Sequence, residues 1–318
     1  MPQARPELKP SSAVQSGLWG WPALLLALLL VGCTTAPITT PLPQTAPPVQ
    51  VVPRKPPKIG LALGGGAARG FAHIGVIQVL EEAGIRPSLV VGTSAGSMVA
   101  AFYASGKNGA QLQQIALSME EATFADWTLP IFSRGMLRGE ALARYVSAQV
   151  NGRLIESMPL PLGIVATDLN SGQGVLFQRG DTATAVRASS AVPALFQPVR
   201  IAGRDYVDGG LVAPVPVQYA RRMGAELVIA VDISSSPESN TASDTLQVLL
   251  QTFSIMGRSI NNFELRDAEI VLRPSLNSVA SSDFGARTRA IEAGRAAMQA
   301  ALPQLLAALQ MRQSQIKP

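Results

Sequence analysis

The segment Val90-Val91-Gly92-Thr93-Ser94-Ala95-Gly96 holds the side chain best placed to do chemistry. An apolar run reads as a buried strand, enters G-x-S-x-G and leaves as a helix of small residues, the setting that a nucleophile elbow requires. Gly92 and Gly96 keep Cβ atoms out of a turn too tight for them. Ser94 is then free to take a strained conformation with Oγ exposed at a helix N-terminus, where backbone N–H groups and the helix dipole favour an oxyanion. The same pattern also fits a plain strand-to-helix turn with Ser94 as its N-cap.

About thirty residues upstream, Gly64-Gly65-Gly66-Ala67-Ala68-Arg69-Gly70 lies between a strand and a helix and offers consecutive unencumbered N–H groups. Glycine amides acting with the Ala95 N–H would make an oxyanion hole. Phosphate binding is the alternative, but G-x-G-x-x-G is not met because the sixth position is Arg69, and no Gly-Lys-Ser/Thr follows. A third segment, Tyr206-Val207-Asp208-Gly209-Gly210, reads as a turn in its own right. It gains interest because the chain has a single histidine, His73, placed on the helix after the glycine loop and sharing a face with Ile77. That position suits a hydrogen-bonded, partly buried helix residue better than a triad member. A carboxylate can instead serve as the base for Ser94, and Asp208 and Asp168 both qualify.

The elements that carry these groups alternate. Ile59–Leu63 is a short apolar run before the glycines, and Phe71 to Glu82 has helical spacing. Leu89-Val90-Val91 is a buried strand and Ala95 to Ser105 a helix closed by Gly106. Two strand–turn–helix units in succession argue for an α/β fold, a three-layer sheet with helices on both faces. Further helices are expected at 109–119, 139–150, 182–190 and 244–267. Further strands are expected at 162–167, 174–178, 199–201, 226–233 and 270–272. A closing helix over 286–309 is expected to break at Pro303. Trp127 to Phe132, between helices, reads as a lid, a membrane-touching loop or a buried connection.

Composition narrows the chemistry. With 318 residues, 47% hydrophobic and 15% charged, the chain can bury a large core. The net charge of +5 comes without clusters of Lys and Arg interleaved with aromatics, which argues against a nucleic-acid partner. One cysteine and one histidine exclude a disulfide framework, a Cys-based zinc site and a poly-His metal site. No metal or cofactor is expected.

That one cysteine ends an N-terminal address. A polar start with Arg5 and Lys9 precedes an apolar run from Leu18 to Gly32, too short for the ~20 residues of a bilayer span, and Leu30-Val31-Gly32-Cys33 closes it. The pattern resembles the bacterial lipoprotein signal, which implies removal of 1–32 and lipidation of Cys33. Residues 33–57 are rich in Pro and Thr and read as an extended tether, so the folded domain is expected over 58–318. Thr34 lacks the aspartate linked to inner-membrane retention. The resemblance thus implies a lipid anchor in the outer membrane, facing the periplasm.

Taken together, I-G-L-A-L-G-G-G-A-A-R-G-F-A-H-I-G-V at 59–76, G-T-S-A-G at 92–96, A-S-S-A-V-P at 188–193 and D-G-G at 208–210 resemble the patatin-like phospholipases. The nearest likeness is to the bacterial branch similar to the catalytic domain of neuropathy target esterase. Order and approximate spacing agree across about 58–233. The resemblance implies a patatin-like sheet and a Ser-Asp dyad, with Ser94 as nucleophile and Asp208 as base. It implies Gly64, Gly65 and Gly66 as oxyanion donors with Ala95, and Arg69 as a residue that fixes the loop. One extra alanine before Arg69 departs from the common G-G-G-x-R-G form. The implied substrates are fatty-acyl esters such as (lyso)phospholipids, with no protein partner expected. Ala188 to Pro193 would then wall the site near Asp208, and Met98, Phe102, Met119 and Met136 become acyl-pocket candidates. Two other classes stay open on the residues alone: a membrane-tethered nucleotide-binding module, and a lipoprotein that binds lipid or a partner without turnover.

Overall fold

The computed structural model describes residues 56–119, 126, 134–234 and 244–315. The apolar run 18–32, Cys33, nearly all of the 33–57 tether and the Trp127 to Phe132 stretch lie outside these residues. In chain order the elements are β1 (Ile59–Leu63), a 3-10 turn (Ala67–Phe71) running into α1 (Ala72–Glu82), β2 (Leu89–Thr93), α2 (Ala95–Ala104), α3 (Gly109–Ser118), β3 (Gly135–Leu137) and α4 (Glu140–Val150). They continue with β4 (Leu162–Asp168), β5 (Gly174–Phe177), α5 (Thr182–Ser189), β6 (Ala194–Phe196), β7 (Val199–Ile201), β8 (Arg204–Asp208), α6 (Val217–Arg222), β9 (Leu227–Val231), α7 (Thr245–Glu264), β10 (Ile270–Leu272) and α8 (Arg287–Gln315).

The main sheet runs β10-β9-β1-β2-β4-β8-β7, with β5 also on β4. From β10 to β4 neighbouring strands are parallel, which requires crossover connections and leaves both faces to be covered. Alternation along the strands does this. Leu61 and Leu63 join a core with Ile77 and Leu80 of α1, Phe102 of α2 and Ile291 of α8, whereas Ala62 and Val91 point the other way into a cluster with Val217 and Ala220 of α6. The result is a three-layer α/β/α domain.

One feature of the sheet creates the site. Strand β2 pairs with β4 as far as Thr93 opposite Val165, and there it turns off the sheet. Strand β5 occupies the other side of β4 over Ile164 to Thr167. Strand β8, antiparallel, must therefore take the lane that β2 vacates, and its Asp208 pairs with Ala166. The ends of β2 and β8 meet head to head beside adjacent residues of β4.

Two expectations need correction. Helix α8 continues through Pro303 to Gln315 instead of breaking. Pro303 is exposed while Met298 and Leu305 on either side are fully buried, so the packing of the flanking turns holds the helix across the missing N–H. Strand β8 also lies where the sequence suggested a turn, and the small parallel pair β3–β6 lies in stretches where the sequence predicted no element.

Candidate active site

Ser94 sits between β2 and α2 with φ 53° and ψ −126°, a conformation that costs a non-glycine residue of order 1–3 kcal/mol. The glycines on either side are imposed by contact. A Cβ on Gly92 would lie 2.3 Å from the Gly96 carbonyl oxygen, and one on Gly96 would lie 2.2 Å from that of Leu63. The elbow is held by hydrogen bonds to its backbone: the Ser94 N–H donates to Ser189 Oγ (2.9 Å), and Ser97 Oγ donates to the Ser94 carbonyl (2.6 Å). The Ser94 side chain makes no capping bond to α2, so the plain N-cap alternative does not describe this turn.

Asp208 ends β8 with its main chain fixed at both ends. Its N–H donates to the Ala191 carbonyl (2.9 Å), and its own carbonyl accepts from Thr167 Oγ1 (2.8 Å). One carboxylate oxygen, Oδ1, accepts the Gly210 N–H at 2.7 Å. The other, Oδ2, is buried and lacks a partner in ordinary hydrogen-bond geometry. Burial pushes the Asp208 pKa up to about 6, opposed by the nearby Ser94 hydroxyl and by the Gly210 N–H. Asp168, the other carboxylate considered, is committed elsewhere: it binds Arg204 (2.8 Å) and accepts the N–H groups of Asn170 and Ser171. The Arg204 bond is the main reason its pKa is lowered.

The glycine loop comes up against the serine. A Cβ on Gly65 would lie 3.1 Å from Ser94 Cβ and 3.9 Å from its Oγ. The three glycine amides are not equivalent, and this corrects the expectation that all three donate. The Gly64 N–H is spent on the Val231 carbonyl (3.0 Å), which carries the β1–β9 ladder one residue beyond β1, and the Gly65 N–H on the carbonyl of Pro214 (2.9 Å), in the loop before α6. Among the described residues, the Gly66 and Ala95 N–H groups have no acceptor.

Arg69 and His73 brace this loop from behind. The Arg69 N–H bonds the Gly66 carbonyl (3.1 Å), and its guanidinium is buried near Asp232, with Nε lacking a partner. Burial lowers the Arg69 pKa and the Asp232 charge partly restores it. His73, expected to be partly buried, is fully enclosed, and its Nε2 lies 2.8 Å from the Gly64 carbonyl. Burial pulls its pKa down to about 4, so the ring is neutral at pH 7 and donates to Gly64 from Nε2. It serves the loop and has no bond to Ser94.

Of the acyl-pocket candidates, Phe102 and Met119 are core residues and Met98 packs against the same core, while Met136 lies partly buried in β3. Ser189, Ala191 and Thr167 contact the main chain of Ser94 or Asp208, and spacing alone did not single them out. A-S-S-A-V-P is the one sequence signal for the first two, and it implies a wall near Asp208 without revealing these bonds. Among the described residues no group of three His, Cys, Asp or Glu side chains is arranged to hold a metal ion, and no helix is long and apolar enough to cross a membrane.

Comparison with known proteins agrees with this architecture. The sequence pattern of the patatin-like phospholipase family matches residues 61–221. An NTE family protein of Mycobacterium tuberculosis is 39% identical over 189 residues, covering 59% of this chain and 52% of its own. Human patatin-like phospholipase domain-containing protein 6 is 35% identical over 190 residues, covering 57% of this chain and 14% of its own. The chain thus spans about half the length of the mycobacterial relative and a small part of the human one. The crystal structure of VipD from Legionella pneumophila shares the fold, with a TM-score of 0.53 at 15% identity, covering 79% of this chain and 67% of that one. With the family pattern extending from β1 through α6, the chain belongs to the patatin-like phospholipase family.

Proposed function

We propose that this protein is a serine lipid acyl hydrolase that cleaves fatty-acyl esters of (lyso)phospholipids through Ser94 and Asp208. The observation that carries the reading is the meeting of a strained, half-buried serine with a buried carboxylate oxygen, Oδ2, that has no other partner. The family description supports the lipid substrate class.

In this mechanism the ester carbonyl lies between Ser94 Oγ and the free N–H groups of Gly66 and Ala95. As Oγ attacks the carbonyl carbon, Asp208 Oδ2 takes the hydroxyl proton and the carbonyl oxygen becomes an oxyanion facing those two amides. Collapse breaks the bond to the alkoxide leaving group, which takes the proton from Asp208. Water then attacks the acyl carbon as Asp208 takes its proton, and collapse breaks the acyl–Oγ bond, so that the fatty acid leaves and Ser94 Oγ takes the proton back from Asp208. Burial suits Asp208 to this work, since a carboxylate of raised pKa is a stronger base than an exposed one. The Gly210 N–H keeps Oδ1 occupied, leaving Oδ2 to receive the proton.

The proposal extends to location. A signal segment over 1–32, lipidation at Cys33 and a tether over 33–57 would hold the enzyme on a bacterial envelope membrane, the outer one facing the periplasm, where phospholipid is at hand. The test for the anchor is incorporation of an alkyne-tagged palmitate into the full chain, expected for the wild type and absent in Cys33→Ser. Equal labelling of both would reject lipidation at Cys33. The test for the chemistry is loss of ester hydrolysis in Ser94→Ala and Asp208→Asn.

A further inference from the structure

We infer that Ser189 is a positioning residue for the nucleophile, an inference that rests on the hydrolase reading above. Its hydroxyl is wholly buried and joins two groups that the elbow pulls apart. It accepts the Ser94 N–H at 2.9 Å and donates to the Val165 carbonyl at 2.6 Å. Val165 is the β4 residue opposite Thr93, the last paired residue of β2. Where the chain leaves the sheet to form the elbow, the Ser189 hydroxyl therefore splices the Ser94 amide back onto the β4 ladder.

Two consequences follow for the reaction. A buried N–H left unpaired is costly, so without Ser189 the elbow would relax toward a conformation that pairs it, and Ser94 Oγ would move with its backbone. Second, the same stretch holds the base. Two residues after Ser189, the Ala191 carbonyl accepts the Asp208 N–H at 2.9 Å. The end of α5 thus sets the distance between nucleophile and base from a single three-residue segment. Because Ala191 acts through its carbonyl, a substitution at 189 disturbs the serine and leaves the anchoring of Asp208 intact.

The test uses the full chain in detergent, as wild type, Ser189→Ala and Ser189→Cys, with a p-nitrophenyl ester and a fluorophosphonate. The extent of phosphonylation at Ser94 counts competent sites and its rate reports the nucleophile. Per competent site, Ser189→Ala is expected to lower kcat and the phosphonylation rate together by 10- to 100-fold. KM should change less than threefold, and the acid limb of the pH–rate profile should keep its midpoint. Ser189→Cys, of similar volume with weaker bonds at both ends, should fall between. A purely structural role would lower Tm and the number of competent sites while leaving kcat per site unchanged, and that result overturns the inference. If Ser189→Ala does not fold, a Cys variant with wild-type kcat and phosphonylation rate per site overturns it equally. A wild type inert toward both reagents removes the hydrolase reading and the inference with it.

Discussion

Ser94 and Asp208 reach the same point of the sheet from opposite directions. Ser94 follows Thr93, which pairs with Val165, and Asp208 pairs with the next residue, Ala166. A parallel strand and an antiparallel one share a lane of β4, and the break between them is the candidate site. The pairing explains why a serine and a carboxylate more than a hundred residues apart can be aligned without a histidine between them.

The proton-accepting role proposed for Asp208 predicts a pH–rate profile. With its pKa pushed up to about 6 by burial, kcat/KM should rise tenfold per pH unit below that value and level off above it. His73, neutral above about pH 4, should add no second acid limb. Hydrolysis of a soluble ester by the wild type and His73→Gln between pH 4 and 9 checks this. A midpoint that vanishes in His73→Gln, with the variant folded, would assign the limb to the histidine instead.

The same two groups act on stability with opposite signs. Asp208 holds its proton more tightly folded than unfolded, so its burial weakens the fold as pH rises from about 4 to about 6. His73 resists protonation when folded, so its contribution is present at neutral pH and lost as pH falls from about 6.5 to about 4. Over that window the two largely cancel. Asp208→Asn should therefore be more stable than the wild type at pH 8, by about 1–3 kcal/mol, and should lose stability steeply on acidification. Urea unfolding at pH 4.5 and pH 8 measures both effects.

Two glycine substitutions should fail in different ways. Gly96→Ala drives a methyl to 2.2 Å from the Leu63 carbonyl oxygen, which neither α2 nor β1 can relieve without separating, so the expected result is a destabilised or unfolded protein. Gly65→Ala meets Ser94 Cβ at 3.1 Å, tight but not impossible, so the protein should fold with activity reduced at least tenfold. Circular dichroism with ester hydrolysis separates the outcomes.

The parallel half of the sheet was legible in the sequence because β1, β2 and β9 are apolar runs, the first two followed by Gly-rich turns and helical periods. The elbow was legible for the same reason, since Gly92 and Gly96 flank a single serine. What stayed hidden depends on pairing. Strand β8, Arg204-Asp205-Tyr206-Val207-Asp208, lacks polar–apolar alternation and runs into a turn-like D-G-G, and only its lane on β4 makes it a strand. That the Gly64 and Gly65 amides are spent likewise follows from the Val231 and Pro214 carbonyls, far along the chain. Pro303 misled because local chain geometry yields there to packing on both sides.

The most direct test of the Ser94–Asp208 account compares wild type, Ser94→Ala, Asp208→Asn and His73→Gln as folded full-length proteins hydrolysing a medium-chain p-nitrophenyl ester at pH 8. Loss of at least ~10³-fold in both Ser94→Ala and Asp208→Asn, with His73→Gln within about tenfold of wild type, is the predicted result. Asp208→Asn retaining wild-type kcat, or His73→Gln falling as far as Ser94→Ala, would contradict it.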